Sequence, residues 1–299
     1  MLAIDRVLYP TDLSDGAQRA FPYAASLAHW HHADLHIFNV AGRHLYNFED
    51  VRATFPIPTA TLQTWADASQ ITQFSVDDLS IHQTQREGAV PGKQILAYAK
   101  EESSDLIVMG THGRRGVDRM LLGSVTEEVV RRAPCPVFTV RKEATHAPSQ
   151  LMRRILVPID FSDASERALQ HAYELAMTYG AEILVVHAIE EVILPMAYGI
   201  EPKQVDADAV RPDVEQALAD LLSKHVGIEH AQAQVRVGYP PEELLDTVKE
   251  EDIDLVVMGT HGRQGLNRLL MGSVAERIVR HAPCPVLTLQ HESRSLLPA

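Results

Sequence analysis

Residues 105–141 read DLIVMGTHGRRGVDRMLLGSVTEEVVRRAPCPVFTVR, and residues 254–290 read DLVVMGTHGRQGLNRLLMGSVAERIVRHAPCPVLTLQ. Set one above the other without gaps, the segments agree at 24 of 37 positions, at an offset of 149. The agreement reaches back to the start of each copy, where Pro10 falls over Pro158 and Asp12 over Asp160 at an offset of 148. The repeating unit is therefore about 150 residues, the size of a whole domain. A period that long points to duplication and fusion rather than to a solenoid of short repeats. The expected organisation is a first domain over 1–142, a polar, Pro-containing linker over 143–152, a second domain over 153–292 and a tail over 293–299.

Each unit alternates short apolar runs with helical stripes. In the second copy Arg154–Ile159, Glu182–Ala188, Ala233–Val237, Asp254–Gly259 and Pro285–Leu289 read as buried strands. Between the first two, Ala168, Leu169, Ala172, Leu175, Ala176 and Tyr179 form a helical stripe, which Ser162 or Asp163 can cap and Gly180 can end. Further helices are expected over roughly Val214–His225, from Pro240, and over Ser273–Arg280. The first copy follows suit, with strands near Arg6–Tyr9, Leu35–Val40, Leu79–Gln85, Asp105–Met109 and Pro136–Val140. Strand–helix alternation of this kind implies right-handed crossovers and a mainly parallel sheet covered on both faces. Such sheets take ligands beyond the carboxyl ends of their strands.

The distinctive residues fall there. Gly110-Thr111-His112-Gly113 follows the fourth strand and is separated by nine residues from Gly123-Ser124 at a helix start; Gly259-Thr260-His261-Gly262 and Gly272-Ser273 repeat the pattern. Glycine permits close backbone approach to a ligand, and a helix N-terminus offers free N–H groups with a positive dipole end. The intervening segments carry Arg114, Arg115 and Arg119 in one copy and Arg263 and Arg268 in the other. Guanidinium groups there add charge-assisted contacts to phosphate. Neither the Walker A loop nor the dinucleotide glycine fingerprint is present.

This Gly-x-x-Gly-x9-Gly-Ser pattern, together with Asp12 and Asp160 and the Ala-Pro-Cys-Pro-Val run before the last strand, resembles the ATP-binding branch of the universal stress protein family, in a tandem two-domain form. The resemblance implies two tandem open, mainly parallel five-stranded α/β sheets with helices on both faces, Rossmann-like and of the adenine nucleotide alpha hydrolase type. It implies ATP (or ADP or AMP) as ligand, with Mg2+ held through the phosphates, and a regulatory role in the stress response. Pro10, Thr11, Asp12, Pro158, Ile159 and Asp160 would lie near adenine and ribose, with Val40 and Ala188 flanking the base. Met109, Gly110, Gly113, Arg114, Gly123, Ser124 and Val125 would hold ribose and phosphates in the first copy. Met258, Gly259, Gly262, Arg263, Gly272, Ser273 and Val274 would do so in the second. The first copy departs in Gly88-Ala89-Val90-Pro91, one residue longer than Gly238-Tyr239-Pro240, and Ala188 replaces a more usual Val; unequal affinity is expected. The resemblance also implies that the last strands pair the two halves into an internal pseudo-dimer, with homodimerisation and a protein partner left open. A slow ATPase or phosphotransferase and an adaptor with vestigial sites are the rival readings, although no committed base is visible.

Bulk properties narrow the remainder. A net charge of −13 disfavours nucleic acid and anionic membrane as partners. No secretory leader or spanning run is read from the sequence, so a cytoplasmic protein is expected. Asp12 and Asp160 suit helix capping as well as ligand contact, and His112 and His261 suit loop packing. His29, His31 and His32 suit a helix C-terminus better than a metal, and no metal site is expected from the protein alone. Cys135 and Cys284, each between two prolines, read as buried packing.

Overall fold

A computed structural model of the chain describes residues 2–41, 55–67, 74–111, 122–141, 152–190, 206–225, 231–262, 271–290 and 293–297. Its first half contributes β1 (Arg6–Pro10), β2 (Asp34–Ala41), β3 (Ile81–Glu87), β4 (Leu106–Gly110) and β5 (Val137–Val140). Its second contributes β6 (Arg154–Pro158), β7 (Glu182–Ile189), β8 (Ala231–Val237), β9 (Leu255–Gly259) and β10 (Val286–Leu289). Every strand lies within two residues of its expected bounds. Each half is a parallel five-stranded sheet, and the two are joined into one ten-stranded sheet of order β3-β2-β1-β4-β5-β10-β9-β6-β7-β8.

The joint is the antiparallel pair β5–β10, with Phe138 opposite Leu287, Val137 opposite Thr288 and Thr139 opposite Val286. Two reciprocal side-chain bonds reinforce it. Thr139 Oγ1 donates to the Val286 carbonyl and Thr288 Oγ1 to the Val137 carbonyl, both at 3.1 Å. Beyond the ladder, Arg141 reaches across to the His281 carbonyl and Gln290 to the Val130 carbonyl. The internal pseudo-dimer expected of the last strands is thus built by main-chain pairing.

The nine helices of the described residues are α1 (Asp15–Gln18), α2 (Phe21–His31), α3 (Thr59–Asp67), α4 (Pro91–Glu101), α5 (Ser124–Arg132), α6 (Asp163–Tyr179), α7 (Ala207–His225), α8 (Pro240–Glu250) and α9 (Ser273–His281). On one face of the sheet a single apolar cluster runs through both halves, from Phe21, Leu62 and Tyr9 through Phe138 and Leu287 to Leu169 and Leu218. The other face carries two separate clusters, around Phe38, Ile95 and Val129 in the first half and Val186, Leu244 and Ile278 in the second. Side chains alternate across each strand, so strands covered on both sides need apolar residues at nearly every position.

Two helices depart from the sequence reading. The first half does not copy the single 17-residue α6 but breaks it into α1 and α2. Pro22 stands in the first turn of α2, where its missing N–H is harmless, and would interrupt a continuous helix. Conversely, α7 begins at Ala207 rather than Val214 and carries Pro212 inside it. Asp206 accepts from the Ala209 amide and supplies the missing start. Ser162 caps α6, and Gly180 ends it at φ 71°, as the sequence suggests.

Residues 293–297 lie between the halves rather than apart from them. The Leu296 side chain is buried, its carbonyl accepts from Ala3 N (2.8 Å) and its amide donates to His171 Nε2 (3.2 Å). Arg294 pairs with Asp105 at 2.7 Å. His31 and Tyr179 add a 2.9 Å bond between α2 and α6.

Replacing either junction threonine by valine keeps the shape and removes the donor. Thr139→Val or Thr288→Val is therefore expected to cost about 1 kcal/mol in denaturant unfolding. The tail contact brings a pH dependence. With Nε2 accepting from Leu296, His171 Nδ1–H donates to the Arg167 carbonyl, so the ring is neutral. Burial pushes its pKa below the ordinary 6.5. The folded state then binds fewer protons than the unfolded one, so the stability is complete above pH ~6.5 and falls as the pH drops below it. Melting temperatures from pH 7.5 to 5.5 should decline, with a shallower slope in His171→Gln.

Candidate functional site

In each half the carboxyl ends of the first and fourth strands of that half lie beside a helix start. The chain leaving β1 is fixed by Thr11, whose amide donates to the Phe38 carbonyl (2.9 Å). The Thr11 hydroxyl accepts from Leu13 N (3.1 Å), and Leu13 is held at φ 64°. In the second half Ile159 N donates to the Val186 carbonyl (2.8 Å), and Phe161 takes the matching φ of 59°. A left-handed bulky residue at the same place in both copies marks a turn imposed by its surroundings.

That turn presents the aspartates. The helix caps themselves are Ser14 and Ser162, so the direct capping role expected for Asp12 and Asp160 is corrected. Each aspartate instead braces the cap: Asp12 Oδ1 accepts from the Ser14 amide at 3.0 Å and from its hydroxyl at 2.5 Å. Asp160 Oδ1 makes the same pair with Ser162, at 3.1 and 2.5 Å. One oxygen of each carboxylate is thereby oriented at the carboxyl end of the sheet.

The fourth strands end on glycines for a packing reason. A Cβ on Gly110 would strike the Gly16 carbonyl in α1, and one on Gly259 would lie 2.9 Å from Ala164 Cβ in α6. Thr111 N then donates to the Val140 carbonyl and Thr260 N to the Leu289 carbonyl, at 2.9 and 3.0 Å. The returning chain meets the same residues, with Gly123 N on the Thr111 carbonyl (3.0 Å) and Gly272 N on the Thr260 carbonyl (2.8 Å). The two ends of each loop are thus closed by one backbone bond, and the helix start is held beside the strand end.

Gly123 and Gly272 are the N-cap residues of α5 and α9, and neither helix has a side-chain cap. Ser124 and Ser273 stand exposed in the first turn, followed by the half-buried Val125 and Val274. The first N–H groups of a helix lack intrahelical acceptors and carry its positive dipole end, so each start can receive an anion. Thr126 Oγ1 ties α5 to the Gly110 carbonyl at 3.0 Å; Ala275 stands at the matching place in α9 and makes no such tie.

Gly262 lies so close to Asp160 that a Cβ there would strike Oδ2. Beside it, Thr260 Oγ1 and His261 Nδ1 are 2.9 Å apart, while His261 Nε2 is buried without a partner among the described residues. Buried polar atoms of this kind ordinarily have a partner, which a ligand or water can supply. Pro10, Thr11, Asp12, Met109, Gly110, Gly123, Ser124 and Val125 therefore gather at one end of the first half, as do Pro158, Ile159, Asp160, Met258, Gly259, Gly262, Gly272, Ser273 and Val274 in the second. Val40 and Ala188 sit near the ends of β2 and β7, next in the sheet. Gly113, Arg114 and Arg263 lie outside the described residues, as do His112, Arg115, Arg119 and Arg268.

Two contributors escaped the sequence reading. Asn39 Nδ2 donates to the Thr11 carbonyl (2.8 Å) and its Oδ1 accepts from Gln85 (2.8 Å). In the second half His187 Nδ1 meets the Ile159 carbonyl at 2.7 Å. Both support the loop after the first strand, and a polar residue inside an otherwise apolar strand was the available signal. The remaining histidines of interest are occupied in packing, His29 stacking on Phe74 at 4.4 Å and His31 bonding Tyr179. Cys135 and Cys284 are buried, and that burial pushes both thiols up to about 12, which suppresses the thiolate.

Comparison with known proteins identifies the pattern. The model of the universal stress protein family matches residues 3–141 and again 152–290. A universal stress protein of Mycobacterium tuberculosis is 34% identical over 190 residues, which cover 62% of this chain and 61% of the relative. One from Methanocaldococcus jannaschii is 31% identical over 145 residues, 47% of this chain and 83% of the relative. The crystal structure of a universal stress protein from Archaeoglobus fulgidus superposes with a TM-score of 0.70 at 20% identity, covering 96% of this chain and 98% of that one; it establishes likeness of fold. No helix among the described residues is long and apolar enough to cross a membrane.

Because the Gly16 backbone cannot give way as a side chain can, Gly110→Ala should lose about 1–3 kcal/mol of stability. A thermal melt matching that of the unaltered protein would contradict the close α1–β4 approach.

Proposed function

This chain belongs to the universal stress protein family, and we propose that it is a nucleotide-dependent regulatory module of the stress response, with one adenine nucleotide site in each half. The observation that carries the reading is the duplicated, uncapped helix start. Gly123-Ser124 and Gly272-Ser273 each sit beside the end of a parallel strand, with the loop closed by a single backbone bond. An uncapped dipole end suits a polyphosphate, and the buried His261 Nε2, without a partner among the described residues, adds a polar group in the second half.

The residues fit an adenine nucleotide in the roles given by the family resemblance. Asp12 and Asp160 would face base and ribose, Val40 and Ala188 would flank the base, and the glycine–serine starts would bind phosphates. Arg114 and Arg263 would neutralise phosphate charge, and Mg2+ would be held through the phosphates. ATP would bias the conformation or the partner choice of the protein, which requires that it bind one state better than another. The halves would bind unequally. Asn39 and Thr126 brace the first site, where the second has His187 and Ala275.

The test is mass spectrometry of small molecules released from freshly purified, denatured protein, followed by calorimetric titration with magnesium and ATP. Up to two equivalents of ATP per chain are expected. Gly272→Val, which crowds the Thr260 carbonyl 3.3 Å from a Cβ, should weaken the second site tenfold or more, about 1.4 kcal/mol, with little change in melting. Absence of copurified nucleotide together with absence of binding on titration would refute the reading. Steady phosphate release abolished by the same substitution would move it to an enzyme.

A further inference from the structure

At the opposite, amino end of the first half-sheet stand three side chains with no part in the site above. Asp34 and His36 are two residues apart on β2, and His82 is the register partner of His36 on the edge strand β3. Two-residue spacing and direct register put all three on one face of the sheet. Their ligating atoms lie within 4.8 Å of one another, the imidazole centroids are 4.9 Å apart, and His82 Nε2 is 3.9 Å from Asp34 Oδ1. From this arrangement we infer a divalent transition-metal site, of zinc class, formed by Asp34, His36 and His82 with solvent completing the shell.

The donor set selects the metal. Two imidazole nitrogens and one carboxylate suit zinc-class ions and not the all-oxygen preference of Ca2+ or Mg2+. Ligand atoms around tetrahedral zinc stand roughly 3.4 Å apart for bonds of about 2.1 Å. Closing to that spacing asks for small side-chain rotations in Asp34 and His82, whose side chains are 42% and 54% exposed and free to make them. The same exposure leaves an entry path and a coordination position for water.

His36 is oriented as a metal-binding histidine is. The Tyr98 hydroxyl donates to Thr84 Oγ1 (3.3 Å), which leaves its oxygen to accept from His36 Nδ1–H at 2.9 Å. The lone pair is then on Nε2, the nitrogen available to the ion.

The duplication supplies an internal comparison. The matching positions in the second half are Glu182 and Leu184 on β7 and Gln232 on β8, with Thr247 where the first half has Tyr98. Leu184 packs against the apolar cluster beneath it, so the fold accepts a hydrocarbon where the first half buries a histidine. Burying a polar ring there costs stability unless it is partnered, and both of its neighbours in the set are ligands of the same metals. Bound metal would fasten edge strand β3 to β2 at its open end.

The experiment uses the full chain stripped with a chelator, loaded with ZnCl2, dialysed and analysed for metal content, with melting curves in zinc and in chelator. His82→Gln and His36→Leu install the second half's own residues, and His82 is exposed enough that His82→Gln should fold. The unaltered protein is expected to retain one zinc per chain and to melt higher with zinc. Both variants should lose the retained zinc, with at least tenfold weaker binding, and the zinc-dependent rise in melting temperature. No retained zinc in the unaltered chain, or retention undiminished in His82→Gln, would overturn the inference.

Discussion

The architecture depends on the antiparallel ladder between β5 and β10. A five-stranded parallel sheet ending on Val137–Val140 would expose a row of unpaired amides flanked by side chains that are apolar on both faces. Such an edge invites uncontrolled pairing. Duplication solves the problem within one chain, because the second copy presents the same edge in the form of Val286–Leu289. The reciprocal threonine bonds fix the register about Phe138 and Leu287, and a one-residue slip would turn Thr139 and Thr288 away from their acceptors.

That ladder also dictates where the two candidate nucleotide sites lie. Since β5 and β10 run in opposite directions, the carboxyl ends of the first half's strands point away from those of the second. The sites therefore open at opposite edges of one sheet, while Phe138 and Leu287 belong to a single apolar cluster that reaches helices of both halves. The tail reinforces the same union: Leu296 is buried between Ala3 and His171, and Arg294 is paired with Asp105.

Within that symmetric frame the copies have diverged where ligands would act. The loop after the first strand is braced by Asn39 and Gln85 in one half and His187 in the other. The helix start is tied by Thr126 in one and left untied at Ala275 in the other. The extra residue between Gly88 and Pro91 is absorbed without moving the strand: Gly88 N still donates to the Ala41 carbonyl, as Gly238 N does to Ile189. Each half is thus a reference for the other, and differences between them stand out from what the fold requires.

The strand pattern, the duplication and the glycine–serine starts were legible in the chain because each is local. Apolar runs encode strands, and Gly110, Gly123, Gly259 and Gly272 mark places where a side chain has no room or a helix begins. The break of the first helix at Pro22 was hidden by the likeness of the copies, and the early start of α7 by Pro212. Asp12 and Asp160 read as caps until the turn placed them behind Ser14 and Ser162. The Asp34–His36–His82 cluster could not be read at all, since 46 residues separate its histidines. Sequence by itself determined the elements and their repetition, through periodicity and turn chemistry. Tertiary structure alone decided which distant groups share a face, because strand register and the β5–β10 ladder are set by burial and pairing across the whole sheet.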